Sequence, residues 1–264
     1  MRTELFIILI IAKEKRIVKG FFAEGVVRTS KIYLCGVRID NLSMEEAVER
    51  GLLKIQSPCV AFTPNAVMLD ACRREPSLAR LLNRADLSLP DGAGVLAAAA
   101  RKRHPLRARI AGVDFGEAIL EKASKEHLRV FLLGGKRGVA QAASERLSQK
   151  YPGLKVCGVH SGYFQKYGEE NAAVLRRINE ANADILFVCF GFPAQEKWIA
   201  ESLSALPHLR LLAGLGGSLD VWAGNVKRAP MPLQKLGLEW AWRMAHEPRR
   251  LKNLPAILRF LLFF

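Results

Sequence analysis

The sequence predicts an α/β protein: a mainly parallel sheet covered by helices on both faces, followed by a helical C-terminal appendage. Three observations lead there. Short apolar runs recur between helical stretches, the pattern of strands buried on both faces and linked by crossover helices. Turns containing Gly, Pro, Asp or Asn follow many of these runs, where such sheets open their ligand crevice. After Gly224 the composition becomes basic, aromatic and leucine-rich.

A chain of 264 residues suits one large domain with a small addition, and a hydrophobic fraction of 50% supports a packed core. Residues 1–30 read as an extension outside the fold. Their apolar run from Phe6 to Ala12 is interrupted by Lys13-Glu-Lys-Arg16, far short of the roughly 20 residues of a spanning helix. A membrane-touching segment and a misplaced translation start are the alternatives.

The α/β domain is expected over residues 31–224. Lys31–Asp40 reads as two short strands around Gly36, and Ser43-Met-Glu-Glu46 is a capping box that opens a helix. Strands are expected at Cys59–Phe62, Leu87–Leu89, Val130–Leu133, Lys155–Val159, Ile185–Phe190 and Leu209–Ala213. Between and beyond them, helices are expected at Asn65–Arg73, Ser77–Asn83, Ala93–Lys102, Phe115–Lys125, Arg137–Tyr151, Glu170–Ala181 and Gln195–Ser204.

Residues 225–264 form the appendage. Lys227-Arg-Ala-Pro-Met-Pro232 is a break, and two helical stretches follow at Leu233–Ala245 and Arg249–Phe263. From Lys227 onward there are eight Lys/Arg against two Glu, mixed with Trp, Leu and Phe. Such a stretch suits an anionic bilayer surface, where each basic residue contributes about 1 kcal/mol. A packing helix with a solvated face is the alternative. The net charge of +15 calls for an anionic partner without choosing among nucleic acid, phospholipid and phosphate-bearing substrate. Five scattered cysteines without a C-x-x-C pair argue against a disulfide framework and a zinc site, and point to a reducing cytoplasm.

Five strand-end loops carry candidate chemistry. Thr63-Pro-Asn65 follows an apolar strand, and its side chains can bind a sugar or cap the next helix. Asp91, in Leu89-Pro-Asp-Gly-Ala93, is an N-cap or a general base at a strand's carboxyl end. Leu132-Leu-Gly-Gly-Lys-Arg-Gly138 is a phosphate-binding turn or simply a tight one. Gly214-Leu-Gly-Gly-Ser-Leu-Asp220 offers the same choice, with Asp220 able to bind a ribose or base edge. Phe190-Gly-Phe-Pro-Ala-Gln-Glu-Lys-Trp198 gathers an amide, a carboxylate and an ammonium at one helix start. There is no D-x-D pair, G-x-S-x-G or H-E-x-x-H motif. If a diphosphate departs here, arginines must take over the role of a metal.

Taken in order, Thr63-Pro-Asn65, Pro90-Asp-Gly92, Leu133-Gly-Gly135, Gly191-Phe-Pro-x-Gln-Glu196, Gly216-Gly217 with Asp220, and Lys227-Arg-Ala-Pro230 with Glu247-Pro248 closely resemble the WecG/TagA/CpsF glycosyltransferases, glycosyltransferase family 26. The likeness spans roughly Ile32 to Leu262. It implies a Rossmann-like core and inverting transfer of N-acetylmannosamine from a UDP-sugar donor to an undecaprenyl-diphosphate-linked N-acetylglucosamine acceptor, in building the wall teichoic acid linkage unit. Relatives transfer N-acetylmannosaminuronic acid or glucose instead. The resemblance makes Asp91 the base for the acceptor's 4-hydroxyl and puts Thr63 and Asn65 at the sugar. Gln195 and Asp220 would contact the donor, and Arg243 and Arg250 the departing diphosphate. Gly134, Gly135, Glu196, Gly217 and Arg228 complete its substrate-binding set. One departure is Asn253, where relatives usually carry another basic residue; Lys252 or Arg249 is the candidate substitute.

The family pattern further implies no cofactor and no metal, a cytoplasmic protein held peripherally at the inner face of the plasma membrane, an anionic membrane surface as partner and no nucleic acid. It leaves homo-oligomerisation open. A nicotinamide-dependent oxidoreductase using Gly214–Asp220 is the competing class. That loop runs into the Lys-Arg-Ala-Pro break where a dinucleotide fingerprint needs a βαβ unit. A nucleic-acid binder has only the charge in its favour.

Overall fold

The computed structural model describes residues 30–53 and 57–264, so the expected N-terminal extension lies, but for Ser30, outside the described residues. Strands β1 (Lys31–Leu34) and β2 (Val37–Asp40) pair antiparallel across Cys35 and Gly36, both at positive φ, as a two-residue hairpin requires. Helix α1 (Met44–Leu52) starts at the expected capping box, Ser43 and Glu46 each accepting the other's backbone N–H.

The main sheet has six strands: β3 (Cys59–Phe62), β4 (Leu87–Ser88), β5 (Arg129–Gly134), β6 (Lys155–His160), β7 (Ile185–Cys189) and β8 (Leu211–Gly214). Their order is β4-β3-β8-β7-β5-β6, and every pairing is parallel. The α/β sandwich is therefore as expected. Val130–Leu133 and Ile185–Val188 are fully buried because helices cover both faces. On one face α1, α5 (Gly112–Lys125), α6 (Val139–Lys150) and α9 (Ser218–Trp222) supply the core; on the other α2 (Ala66–Arg74), α3 (Pro76–Leu82), α4 (Ala93–Arg101), α7 (Gly168–Glu180) and α8 (Ala194–Ser202) do.

Boundaries differ where glycine governs the backbone. Helix α6 begins at Val139 rather than Arg137 because Gly138 takes a left-handed conformation. The expected helix Leu233–Ala245 is two, α10 (Met231–Lys235) and α11 (Glu239–His246), broken at Gly237 with φ +73°. A Cβ there would meet that of Ala93 at 2.6 Å, so the break brings the appendage backbone against the start of α4. The stretch Arg249–Phe263 divides into a 3-10 turn (Pro248–Asn253) and α12 (Leu254–Phe263), with Pro255 in the first turn, where its missing N–H costs nothing. Helix α9 was not foreseen in the Gly214–Asp220 loop.

Helix α12 packs on α2. Phe260 is fully buried among Met68, Leu69, Val95 and Ala98, a burial that contributes about 1.5–3 kcal/mol. Beside it, Arg259 donates Nε and Nη2 to Asp70 Oδ2 at 3.2 and 2.8 Å, and Arg101 Nη1 donates to the Leu261 carbonyl at 2.9 Å. The Asp70 carboxylate is wholly buried and shared with Arg73 and Arg74, the compensation a buried charge requires. Among the described residues no helix is long and apolar enough to cross a membrane. Phe260→Ala should cost about 3–5 kcal/mol in urea unfolding. A loss under about 1 kcal/mol would mean that α12 is not docked in solution.

Candidate active site

The crevice forms where β3 and β8 lie side by side, with β4 beyond β3 and β7 beyond β8. The winding of the sheet changes sense there: β3 leads outward to β4 at one edge, and the chain then crosses back to β5 on the far side of β8. A cleft of about 510 Å³ opens at these carboxyl ends, walled by the loops after β3, β4, β7 and β8 and roofed by the appendage.

Thr63 and Asn65 both line the cleft. Asn65 Oδ1 caps α2, accepting N–H groups of Val67 and Met68 at 3.1 and 3.2 Å. Its amide nitrogen is not used in that cap. Gly112 stands opposite Thr63, where a Cβ would lie 2.9 Å from Oγ1; glycine makes room for the hydroxyl.

Asp91 lies across from them. Its backbone N–H donates to the Pro64 carbonyl at 3.0 Å and the Ile110 N–H to the Pro90 carbonyl at 2.9 Å, tying three segments together. Gly92, at φ +96°, begins α4, and no side-chain cap bond forms there, so Asp91 is not the N-cap. Burial pushes the Asp91 carboxyl up to about 6, against the pull of Arg243 and Arg109 and with the help of Glu239 and Asp114. An ionised form near neutral pH is what a base there requires.

The appendage supplies cations to the roof. Arg243 pairs with Glu239 at 3.2 Å, and its Nε is buried without a hydrogen-bond partner among the described residues. Arg250 pairs with Glu247 at 2.8 Å and reaches over the loop after β8, where a Cβ at Gly217 would lie 3.7 Å from its Nη2. Lys252 and Asn253 also line the cleft. Arg228 is differently employed: it is bound by Asp114 and Glu239 and does not line the cleft. Glu239, nearly buried, also takes Arg109 at 3.4 Å; of its three guanidinium partners Arg109 ties α11 to the α/β core, Arg228 ties it to the Lys227–Pro230 break, and Arg243 is on α11 itself.

Gln195 lines the cleft as a brace between two loops. Its Oε1 accepts the Gly191 N–H at 3.2 Å and the Gly216 N–H at 2.9 Å, and its Nε2 donates to Glu196 at 2.9 Å. Glu196 itself is fully buried, and burial pushes its carboxyl up to about 7. It supports Gln195 from behind and does not line the cleft.

Gly134 and Gly135 are also withdrawn from the cleft. A Cβ on Gly134 would lie 2.4 Å from the Cys189 carbonyl oxygen, and the Gly135 N–H donates to that oxygen at 3.3 Å. These glycines permit close packing between β5 and the β7 loop. Asp220 sits in the first turn of α9, near Asn225, outside the cleft lining. A second hollow of about 580 Å³, beyond the turn into α6, contains Lys136, Arg137, His160 and Tyr163 but none of the expected site residues. Sequence reasoning missed Arg109 and Glu239 in the main site. The only signal for either was a charge next to an apolar segment, which is common everywhere. Among the described residues no three His, Cys, Asp or Glu side chains gather as a metal site would need.

The comparisons with known proteins agree with this architecture. A model of the WecG/TagA/CpsF glycosyl transferase family matches residues 32–264. A Bacillus subtilis (strain 168) protein named N-acetylglucosaminyldiphosphoundecaprenol N-acetyl-beta-D-mannosaminyltransferase is 34% identical over 220 residues, covering 83% of this chain and 84% of that relative. Its namesake from Staphylococcus aureus (strain MRSA252) is 34% identical over 233 residues, covering 87% and 90%. The chain is a member of the WecG/TagA/CpsF glycosyltransferase family.

Proposed function

We propose that this enzyme transfers N-acetylmannosamine from UDP-N-acetylmannosamine to the 4-hydroxyl of undecaprenyl-diphosphate N-acetylglucosamine, with inversion and without a metal, at the inner face of the plasma membrane. The observation that carries this reading is Asp91: a carboxylate recessed in a cleft under appendage arginines, in a chain 34% identical over most of its length to transferases bearing that acceptor and sugar in their names. Asp91 removes the proton from the acceptor hydroxyl as its oxygen attacks the anomeric carbon. The bond to UDP breaks, and the diphosphate leaves with the electron pair. Arg243 and Arg250 neutralise that charge, the role a metal has in other sugar-nucleotide enzymes. Thr63 and the free amide nitrogen of Asn65 hydrogen-bond the sugars, and Gln195 keeps the loops apart at the width of the donor. Gly217 lets the diphosphate approach the α9 turn, whereas Asp220, outside the cleft lining, takes no part in this reading.

The appendage, residues 225–264, is also assigned to the membrane. On it Met231, Leu251, Leu262 and Phe263 are exposed, as are Arg249 and Lys252, the mixture of apolar and cationic side chains that suits an anionic bilayer surface.

A transfer assay with a soluble prenyl-diphosphate N-acetylglucosamine and a panel of UDP sugars, without added metal, tests the activity. UDP release with UDP-N-acetylmannosamine is expected, and no release with any donor would refute the reading. Asp91→Asn should lower kcat by about 10²–10⁴-fold while leaving UDP affinity near wild type; unchanged turnover would exclude Asp91 as base. The acidic limb of kcat/KM should fall near pH 6, since the base works only when ionised. Arg243→Ala should move that limb upward, because the cation that favours the carboxylate is gone, and a limb shifted downward would contradict this placement. In flotation with anionic vesicles, replacing Leu262 and Phe263 by Glu should weaken binding about tenfold; equal binding would remove that face from the membrane contact.

A further inference from the structure

The cleft has a second character beside the polar one. Trp240 and Met244 on α11 are four residues apart and face one way, as do Ile257 and Leu261 on α12. All four line the cleft, opposite Ala66 and Gly94. The packing is tight at its base: a Cβ on Gly94 would lie 3.4 Å from that of Ala66 and 3.6 Å from Leu261 Cδ2. The same helix α11 carries Glu239 and Arg243 along the adjacent edge, so the apolar wall begins where the charged network around Asp91 ends. Lys252 stands at this border without a carboxylate partner among the described residues.

We propose that Trp240, Met244, Ile257 and Leu261 form a subsite for the first isoprene units of the acceptor's prenyl chain, with Lys252 contacting the acceptor diphosphate. The inference rests on the transferase reading above and extends it to the lipid. A sugar nucleotide is polar throughout and has no group that matches four large apolar side chains, whereas the acceptor carries a prenyl chain directly after its diphosphate. The order of chemistry along the cleft is also the order along that molecule: hydroxyl at Asp91, anionic linkage at Lys252, hydrocarbon at the appendage wall. From there the chain continues toward the exposed Leu262 and Phe263. Trp240, Ile257 and Leu261 are only half-buried, with Met244 buried beside them, so a hydrocarbon ligand would cover apolar surface that the fold leaves partly open to water.

The test uses N-acetylglucosamine diphosphate esters of methanol, geraniol and farnesol at submicellar concentration, in buffer free of detergent and vesicles. With no bilayer to concentrate the lipid, the farnesyl ester should exceed the methyl ester about tenfold or more in kcat/KM, mainly through KM, as burial of several methylene groups requires. In Trp240→Ala and Ile257→Ser that ratio should collapse toward one while the methyl ester is used at the wild-type rate and the melting temperature stays close to wild type. A wild-type ratio near one, or a ratio unchanged in both variants, would overturn the subsite and leave the lipid to the bilayer alone. If the variants lose activity toward the methyl ester as well, the wall is structural and the proposal fails. Absence of transfer to any ester by the wild-type enzyme would refute the transferase reading itself, a result distinct from a flat dependence on tail length.

Discussion

The pairing of β3 with β8 is the constraint on which the site depends. Cys59 through Phe62 run beside Leu211 through Gly214, two segments some 150 residues apart in the chain. Because the strands are parallel and in this register, Thr63 and Leu215 leave the sheet at the same level. The pairing of Phe62 with Ser88 then brings Asp91 to the same edge. No local feature of any one loop would gather these residues. Their convergence follows from strand order, and strand order from burying apolar runs on both faces of one sheet.

Electrostatics joins the second part of the site to the first. Glu239 belongs to the appendage, yet among its guanidinium partners Arg109 comes from the core and Arg228 from the connecting break. A nearly buried carboxylate is costly unless it is matched, and removing one partner from such a cluster leaves an uncompensated charge. The appendage is therefore held at a particular place above Asp91, and the proposed base takes its proton affinity from residues on both sides of the joint. Undocking of α11 would remove both Arg243, which lowers the Asp91 pKa, and Glu239, which raises it. Burial, the largest influence on Asp91, also depends on the roof being in place.

Much of this was legible in the sequence, because the informative signals were local. The capping box at Ser43, the buried run Val130–Leu133 and the basic, aromatic tail each express themselves within a few residues. Glycine was the harder residue to read. Leu133-Gly-Gly135 suggested a phosphate cradle, but its glycines meet the Cys189 carbonyl, a partner more than 50 residues away. Gly237 broke a helix whose apolar pattern ran straight through it, because Ala93 lies against it in space. The Arg109–Glu239 contact spans 130 residues, and nothing local marks either member.

The sequence posed structural and chemical readings of the motifs as alternatives; at Asn65 and Gln195 the structural role is present and the residue still lines the cleft. Asn65 is a helix cap, but capping uses only its carbonyl oxygen; the amide nitrogen remains available in the cleft. Gln195 spends its oxygen on two loop N–H groups and one amide hydrogen on Glu196, and thereby ties together two loops that wall the cleft. Glu196, read as a ligand contact, acts one layer further back: with its carboxyl pushed up to about 7, it gives Gln195 a partner without carrying an obligatory buried charge. Strand-end loops favour such double use. A short polar side chain there must first satisfy the backbone groups that the ending strand and starting helix leave open, and what remains of its hydrogen-bonding capacity is directed by that first bond. The rigidity of the cap is thus what orients the group left facing the cleft.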